Sequence, residues 1–517
     1  MRKARSVDPH VLLLVCTLLF AAGFRLLVID RPFQYDLEGH GCYYGIQARN
    51  YLRFAWRKTR GMPLLNAGRD ARVPPVFYPD HPPLPALSIA AAYAVFGEGE
   101  WQTRLPAAAA TVATVWLLYR LLARTGTRRA AVLSAALFAA TPMMLYFGGL
   151  PDPLGMPLIL FAILTFSAYV GFHREPSRRA WMFLAGAFLF AALSDWLAFL
   201  IVPIAVVHFV ATRPRSDWWR IVLASGVAVV MFGGIYAYVT IATNEPWNWM
   251  VPHVYMHSIG TAPSSITDWV TTAMRRNRAM HTLPLLIAAG LWTLTEGLRV
   301  RTARPGATAA RLVLAWGLLY VAIGRGSVYV HDWTWSLVTP GVAIDAALFL
   351  DSLISDDERR GWPRAANGFA IALVAIFAAW TSVSAYRALY AAPTDLDFTT
   401  VQMGQAIQSA APDPNDVAMV VGAGWGWEPQ WWFYGDRPLR VKVETVADFE
   451  RRFSDSTTDL TYNLVEERPA RAAGLVFPTS ARSTFRDLWT YLRQRYPLVS
   501  LPPAMAAKFD VFDLRVR

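Results

Sequence analysis

Long apolar blocks separated by short arginine-bearing loops recur along the first three quarters of the chain, and they restrict its fold more than any other feature. Representative blocks are residues 10–28, 107–122, 157–172 and 369–380. A bilayer core of about 30 Å takes about 20 apolar residues in a helix, and only helices or closed barrels satisfy their backbone groups there. The pattern predicts an α-helical polytopic membrane protein.

The last part of the chain has a different pattern. From about residue 395 onward there is no membrane-length block, and strand-like segments alternate with helix-like ones. The predicted strands are residues 417–421, 439–443, 474–477 and 509–514, and the predicted helices are 446–453 and 484–496. A membrane domain over 1–394 followed by a small soluble α/β domain over 395–517 is expected.

The basic residues predict the orientation. Arg2, Lys3 and Arg5 hold the N-terminus in the cytoplasm, and an uncleaved first helix then leads outside. All the later basic loops fall on the cytoplasmic side if there are about eleven transmembrane helices and residues 82–96 form an interfacial helix rather than a span. The first outer loop then covers residues 30–103, and the C-terminal domain is extracytoplasmic.

Charge and cysteine content exclude other classes. The net charge of +12 could suggest nucleic acid, but the arginines lie in short loops where they set topology, so no nucleic-acid partner is expected. Cys16 lies inside the first block and Cys42 beyond it, so no disulfide between them is expected, and two thiols are too few for a metal cluster.

The first outer loop carries the first candidates for chemistry. Asp36, Glu38, His40 and Tyr44 follow the first helix within a few residues. A carboxylate at the membrane surface can take a proton from an acceptor hydroxyl as that hydroxyl attacks a sugar carbon. A solvated polar loop is the alternative interpretation of the same residues.

Three further acids and a histidine lie at the predicted outer ends of helices. Asp80 and His81 precede two prolines, and such an acid–histidine pair can bind an anion or a divalent metal ion. Asp152 and Asp195 lie at the next two outer turns, where an acid at the membrane edge is a functional candidate. For Asp80 and Asp152, helix N-capping is the structural alternative.

Later outer segments add cationic groups. His253 and His257 are four residues apart and would share a helix face, and Arg325 and His331 follow the ninth predicted helix. A departing lipid phosphate needs such positive partners because charge develops on its oxygens. Each histidine taken singly could instead make an interfacial hydrogen bond.

The order of several motifs resembles a known family. They are Tyr43 to Leu52, His81-Pro82-Pro83-Leu84, Trp101 to Pro106 and Leu150-Pro151-Asp152. Together they resemble the protein mannosyltransferase and aminoarabinose (lipid A) transferase family, which has the GT-C glycosyltransferase fold. The resemblance covers roughly the first 210 residues, and it extends more weakly to His331-Asp332.

The resemblance implies an inverting transfer of a sugar from a polyprenyl phosphate to a hydroxyl outside the membrane. In the family a first-loop Asp, commonly followed by Glu, acts at the acceptor four residues before the tyrosine matched by Tyr44. His40 and Gly41 occupy those positions here, and the carboxylates lie earlier, similar to branches with an Asp-x-x-Gly pattern. Asp36 is the implied base, with Glu38 as the alternative. The family often has Glu-Lys where this chain has Asp80-His81.

The sequence therefore predicts a membrane glycosyltransferase of the bacterial cytoplasmic membrane. A polyprenyl-phosphate sugar is the expected donor, and a hydroxyl on a glycan, lipid or protein is the acceptor. His81, Arg325 and His331 are expected to hold the phosphate, while Asp80 and Asp152 order the site or hold a metal ion. The rival interpretations are a transporter or flippase of lipid-linked sugars, which would need ionisable residues deep in its spans, and a non-catalytic envelope sensor.

Overall fold

A computed structural model describes most of the chain and shows two compact units. The described residues are 8–34, 38–152, 155–263, 265–297, 306–359, 363–390, 398–422, 429–460, 464–468 and 470–516. The first unit comprises residues 1–29, 80–85 and 104–391; the second comprises 30–79, 86–103 and 392–517. Most of the predicted first outer loop thus belongs to the same unit as the C-terminal segment.

The first unit is helical. Its α-helices are Pro9–Val28, Arg128–Ala140, Pro142–Phe147, Leu158–Arg174, Arg178–Ser194, Ile201–Thr212, Trp218–Thr243, Met250–Tyr255, Ile266–His281, Leu283–Trp292, Ala307–Ile323, Arg325–Val330, Thr339–Arg359 and Pro363–Tyr390. Short 3₁₀ or π-helical turns follow at Trp196–Leu200, Arg215–Asp217, Met256–Gly260, Thr293–Gly297 and Trp333–Leu337. Helices Leu84–Phe96 and Glu100–Thr125 each contribute to both units.

Several of these helices are apolar enough for a bilayer. Within the described parts of the chain, four are long enough to cross it: Pro9–Val28, Glu100–Thr125, Arg215–Thr243 and Ile371–Leu389. Five shorter apolar helices accompany them: Leu84–Phe96, Leu158–Arg174, Trp196–Thr212, Leu283–Glu296 and Ala307–Ile323. The predicted helical membrane protein is confirmed, while eleven crossings and the orientation stay predictions.

The second unit contains one six-stranded sheet. Its strands are β1 Val417–Val421, β2 Leu439–Val443, β3 Thr457–Asp459, β4 Val465–Glu467, β5 Ala472–Pro478 and β6 Phe509–Asp513, in the order β4-β3-β2-β1-β5-β6. Strand β1 is parallel to both neighbours, whereas β3, β4 and β6 pair antiparallel. All residues of β1 and β5 are buried, as expected for central strands covered on both faces.

Helices complete this second unit. They are Gly39–Arg53, Trp56–Thr59, Thr400–Ala410, Pro429–Gly435, Val446–Phe453, Arg486–Arg495 and Pro503–Ala506, with a 3₁₀ turn at Thr479–Ala481. The small C-terminal sheet is confirmed, and the predicted strands 417–421 and 439–443 have the observed bounds. Strands β3 and β4 were not predicted, because three residues are too few to show an alternating pattern.

One predicted span is divided in the structure. Residues 130–147 read as one apolar helix, but the helix ends at Ala140 and a second begins at Pro142. Proline lacks the N–H that would continue the helix, and the Thr141 side chain accepts a hydrogen bond from the Met144 N–H at 3.3 Å, which caps the new helix. Hydropathy is uniform across this break and could not reveal it.

Candidate functional site

His81 and Asp195 form the centre of a polar cluster in the first unit. His81 lies just before helix Leu84–Phe96, and its Nδ1 is 2.6 Å from Oδ2 of Asp195. The Asp195 side chain is only 2% exposed. Its other oxygen accepts the Leu197 N–H at 2.8 Å, capping the turn that follows helix Arg178–Ser194. The carboxylate is therefore fixed from one side while it faces the imidazole with the other.

Asp80 joins the same cluster through two other segments. Its Oδ1 is 3.1 Å from Nδ1 of His253, and its backbone carbonyl accepts the indole N–H of Trp196 at 3.0 Å. The ring of Trp196 lies 6.2 Å from that of Trp249, which in turn contacts the His253 ring edge-on at 5.7 Å. Aromatic side chains thus form a wall beside the acid–histidine pairs.

A neighbouring helix holds the Asp195 turn in place. The indole of Trp316, on helix Ala307–Ile323, donates to the Leu197 carbonyl at 3.1 Å. Trp316 is fully buried. A buried donor without a partner is costly, so this contact fixes the turn against the helix bundle and, through it, the direction of Asp195.

The electrostatics of the cluster favour a charged His81. Burial by itself lowers the pKa of His81, but the hydrogen bond and charge of Asp195, with the charges of Asp80 and Asp152, outweigh it and raise the pKa above the usual 6.5. For His257, burial and the positive charge of His81 lower the pKa below 6.5. The pKa values of the two histidines are therefore shifted in opposite directions, and such perturbed pKa values are typical of functional sites.

Asp152 is buried and near enough to act on His81 electrostatically. Its backbone carbonyl accepts the Gly155 N–H at 3.1 Å. The alternative that Asp152 caps the following helix is wrong, because the N-cap of Leu158–Arg174 is Pro157 and no side chain caps that helix.

Arg325 borders the segment that carries His257. A Cβ added to Gly326 would lie 2.9 Å from the His257 carbonyl, so helix Arg325–Val330 packs directly on this backbone. The Arg325 guanidinium lies 5.9 Å from the ring of Trp269.

His331 has different neighbours. Its ring lies 4.3 Å from that of Trp333, and the adjacent Asp332 pairs with Arg276 at 2.9 Å. The structure does not join His331 to Asp80 or His81 through any of these contacts, and its predicted role at the phosphate stays a prediction.

The first-loop candidates belong to the second unit. Glu38 is buried and forms a two-pronged ion pair with Arg31, one arm of which spans 3.1 Å, and it accepts the Gln34 N–H at 2.9 Å. These contacts join Glu38 to the segment that ends the first helix. Asp36, the predicted base, lies outside the described residues.

His40 and Tyr44 lie on helix Gly39–Arg53. His40 is half-buried, and Tyr44 is 3% exposed and packs edge-on against Tyr43 at 5.6 Å. Gly45 follows in the same helix, where a Cβ would lie 2.7 Å from Phe433. The glycine thus lets two parts of the second unit approach each other.

Sequence reasoning missed the partners of these groups. Trp196, Trp249 and Arg31 are not among the site residues predicted from the sequence. Only the proximity of Arg31 to Glu38 in the sequence gave any signal. The contacts of His81 with Asp195 and of Asp80 with Trp196 join residues 114 and 116 positions apart, which local patterns do not encode.

The acids and histidines of the cluster could supply only some of the ligands that a metal ion needs. Among the described residues, no group of three or more acids, histidines or cysteines has metal-binding geometry. Asp80 and His253 offer one oxygen and one nitrogen side by side. Further ligands would have to come from substrate or water, as is usual for Mg²⁺ with phosphates.

The dolichyl-phosphate-mannose-protein mannosyltransferase family model matches residues 80–241, the segment that contains Asp80, His81, Asp152 and Asp195. No curated protein matches the chain.

Solved structures share the fold. ArnT from Cupriavidus metallidurans bound to undecaprenyl phosphate matches with a TM-score of 0.64 and 14% identity, over 98% of each chain. The oligosaccharyltransferase AglB from Archaeoglobus fulgidus, in complex with an inhibitory peptide and a dolichol-phosphate, gives 0.60 and 12%, over 92% of this chain and 70% of AglB. The mycobacterial arabinofuranosyltransferase AftD gives 0.53 and 17%, over 99% and 40%.

At these identities the likeness shows the fold. The chain has the fold of GT-C glycosyltransferases, and the resemblance to that superfamily is confirmed.

Proposed function

We propose that this protein transfers a sugar from a polyprenyl-phosphate donor to an acceptor hydroxyl on the extracytoplasmic face, with inversion at the anomeric carbon. The observation that carries the proposal is the His81 cluster. It gathers Asp80, Asp195 and His253 from three loops that the charge pattern predicts on one side of the membrane. Structures with this fold hold undecaprenyl phosphate or dolichol-phosphate.

His81 is the group proposed to receive the lipid phosphate. Asp195 holds the imidazole in place and favours its protonated form. A protonated imidazole can donate a charge-assisted hydrogen bond to the phosphate oxygen on which charge develops. Arg325, on the helix packed against the His257 segment, is the second proposed cation.

The acceptor side of the reaction is assigned to the first loop. Asp36 takes the hydroxyl proton as the hydroxyl oxygen forms its bond to the anomeric carbon. The bond from that carbon to the phosphate oxygen breaks, and its electron pair leaves with the polyprenyl phosphate. Glu38 already accepts from Arg31 and Gln34, which suits it to shaping the loop rather than taking the proton.

The charge balance of the cluster supports a requirement for divalent cations. Three carboxylates, those of Asp80, Asp152 and Asp195, surround His81, and a donor phosphate adds further negative charge. Asp80 and His253 would hold a divalent ion, which would supply positive charge beside the phosphate. We therefore expect EDTA to abolish transfer and Mg²⁺ or Mn²⁺ to restore it.

The test is sugar transfer in membranes supplied with radiolabelled polyprenyl-phosphate sugars. Asp36→Asn should lose transfer at normal protein abundance. Asp70→Asn is the matched control, because Asp70 lies in the same predicted loop and bonds Arg72 at its surface. Full activity of Asp36→Asn would refute the assignment of the base. Movement of the lipid-linked sugar across the membrane without transfer would favour the transporter.

A further inference from the structure

A second cavity of the first unit lies apart from the His81 cluster. It is a groove of about 960 Å³ between helix Ile266–His281 and helix Leu283–Trp292. None of the residues that line it belongs to the Asp80, His81, Asp195 and His253 group. The groove is therefore separate from the cluster.

The walls of the groove are apolar and open. On helix Ile266–His281, Val270 and Met274 are 42% and 69% exposed; on the facing helix, Leu283 and Ile287 are 50% and 52% exposed. Trp335 closes the groove and is nearly buried. Two apolar walls of this kind, one of them on an apolar helix, suit hydrocarbon chains.

The charge at the groove is positive and without a counter-ion. Arg275 and Arg278 line it three residues apart, so they project from one helix face. Both are exposed, and neither forms an ion pair with any residue the structure describes. The neighbouring Arg276, by contrast, pairs with Asp332 at 2.9 Å. No acidic residue lines the groove.

The arginine-bearing helix is held in a fixed orientation. Three contacts tie this helix to the segment 325–332. The Trp269 indole donates to the Arg325 carbonyl at 2.9 Å, the Tyr329 hydroxyl donates to Asp268 at 2.8 Å, and Arg276 pairs with Asp332. The groove is thus preformed, because its arginine face cannot rotate without breaking these contacts.

We infer that the groove binds an anionic glycerophospholipid, whose phosphate contacts Arg275 and Arg278 and whose two chains lie along the apolar walls. Charge complementarity selects the net negative headgroup, since a zwitterionic lipid brings a positive charge to the same two guanidiniums. Two walls also match two acyl chains better than one prenyl chain. The inference is independent of the proposed sugar transfer.

The test measures thermal stabilisation of the purified full chain by added lipid. Dioleoyl phosphatidylglycerol should raise Tm at lower concentrations than dioleoyl phosphatidylcholine, by about 30-fold if each arginine contributes about 1 kcal/mol. Salt should weaken the preference. The double variant Arg275→Gln/Arg278→Gln should respond equally to both lipids.

The control is Arg215→Gln/Arg220→Gln, a second pair of arginines at a helix start and outside the groove, which should keep the preference. Equal stabilisation of the wild type by both lipids would overturn the inference, as would a preference retained by the groove variant. Displacement of phosphatidylglycerol by undecaprenyl phosphate would also overturn it, because the groove would then belong to the donor.

Discussion

Replacing Asp195 with asparagine gives a sharp test of how the cluster works. The change removes the charge that faces His81 at 2.6 Å. The amide oxygen of asparagine can still accept the Leu197 N–H, because asparagine caps helices about as well as aspartate. The backbone turn should therefore persist while the imidazole loses its counter-charge.

The expected loss of activity follows from the hydrogen bond that His81 is proposed to donate to the phosphate. Without Asp195, burial still lowers the pKa of the His81 imidazole while the strongest opposing interaction is lost, so the pKa falls and less of the imidazole is charged at a given pH. The donor phosphate then loses one charge-assisted hydrogen bond, worth about 1.5–3 kcal/mol. At about 1.4 kcal/mol per factor of ten, kcat/KM should fall roughly 10–150-fold.

The dependence on pH distinguishes this role from a structural one. The pKa of His81 is raised in the folded protein, so the contribution of the charged pair is fully present below pH 6.5 and is lost as pH rises through the raised value. Initial rates of sugar transfer from pH 5.5 to 9 should show Asp195→Asn losing activity at lower pH than the wild type. His81→Lys, which keeps its charge to about pH 10, should flatten this decline.

The matched control is Asp217→Asn, which removes an acid beside the start of helix Trp218–Thr243 and outside the cluster, where Asp217 pairs with Arg220 at 3.8 Å. Its profile should equal that of the wild type. A uniform loss of activity in Asp195→Asn, with no shift along the pH axis, would show that Asp195 only supports the fold.

Two further predictions concern the second unit. Asp436→Asn should lower the Tm of the full chain, because its carboxylate accepts from Arg49 and Arg53 at 2.9–3.1 Å and breaking such a buried pair costs about 3–5 kcal/mol. Burial alone would raise the pKa of Asp436, but the arginines outweigh burial and lower it below 3.8. The stability that the ion pairs contribute is therefore present above pH 3.8 and is lost as pH falls through the lowered pKa. An unchanged Tm at pH 7 would refute the argument. Gly45→Val should cost about 1–3 kcal/mol by overpacking, whereas Gly23→Val, with no atom within 4 Å, should show no such clash; equal Tm values for the two would refute the close approach.

The candidate residues could be collected from the sequence, but their pairing could not. Asp80, His81 and Asp195 each stand at a predicted helix end, and His253 lies in a predicted outer segment, which identifies them as polar groups on the outer side of the membrane. Nothing in the spacing shows that His81 meets Asp195 or that Asp80 meets His253. The role predicted for Glu38 depends in the same way on its contact with Arg31, which the loop sequence leaves open.

The sequence by itself determined that the chain enters a membrane, that its helices are apolar, and that a small sheet follows. It could do so because hydropathy and its period are local properties that bilayer thickness and backbone hydrogen bonding translate directly into helices and strands. Only the tertiary structure decided the pairing of the short strands β3 and β4 and the meeting of His81 with Asp195. These depend on contacts between distant segments, whose energies arise only once the chain is folded and the groups are brought within a few ångströms of each other.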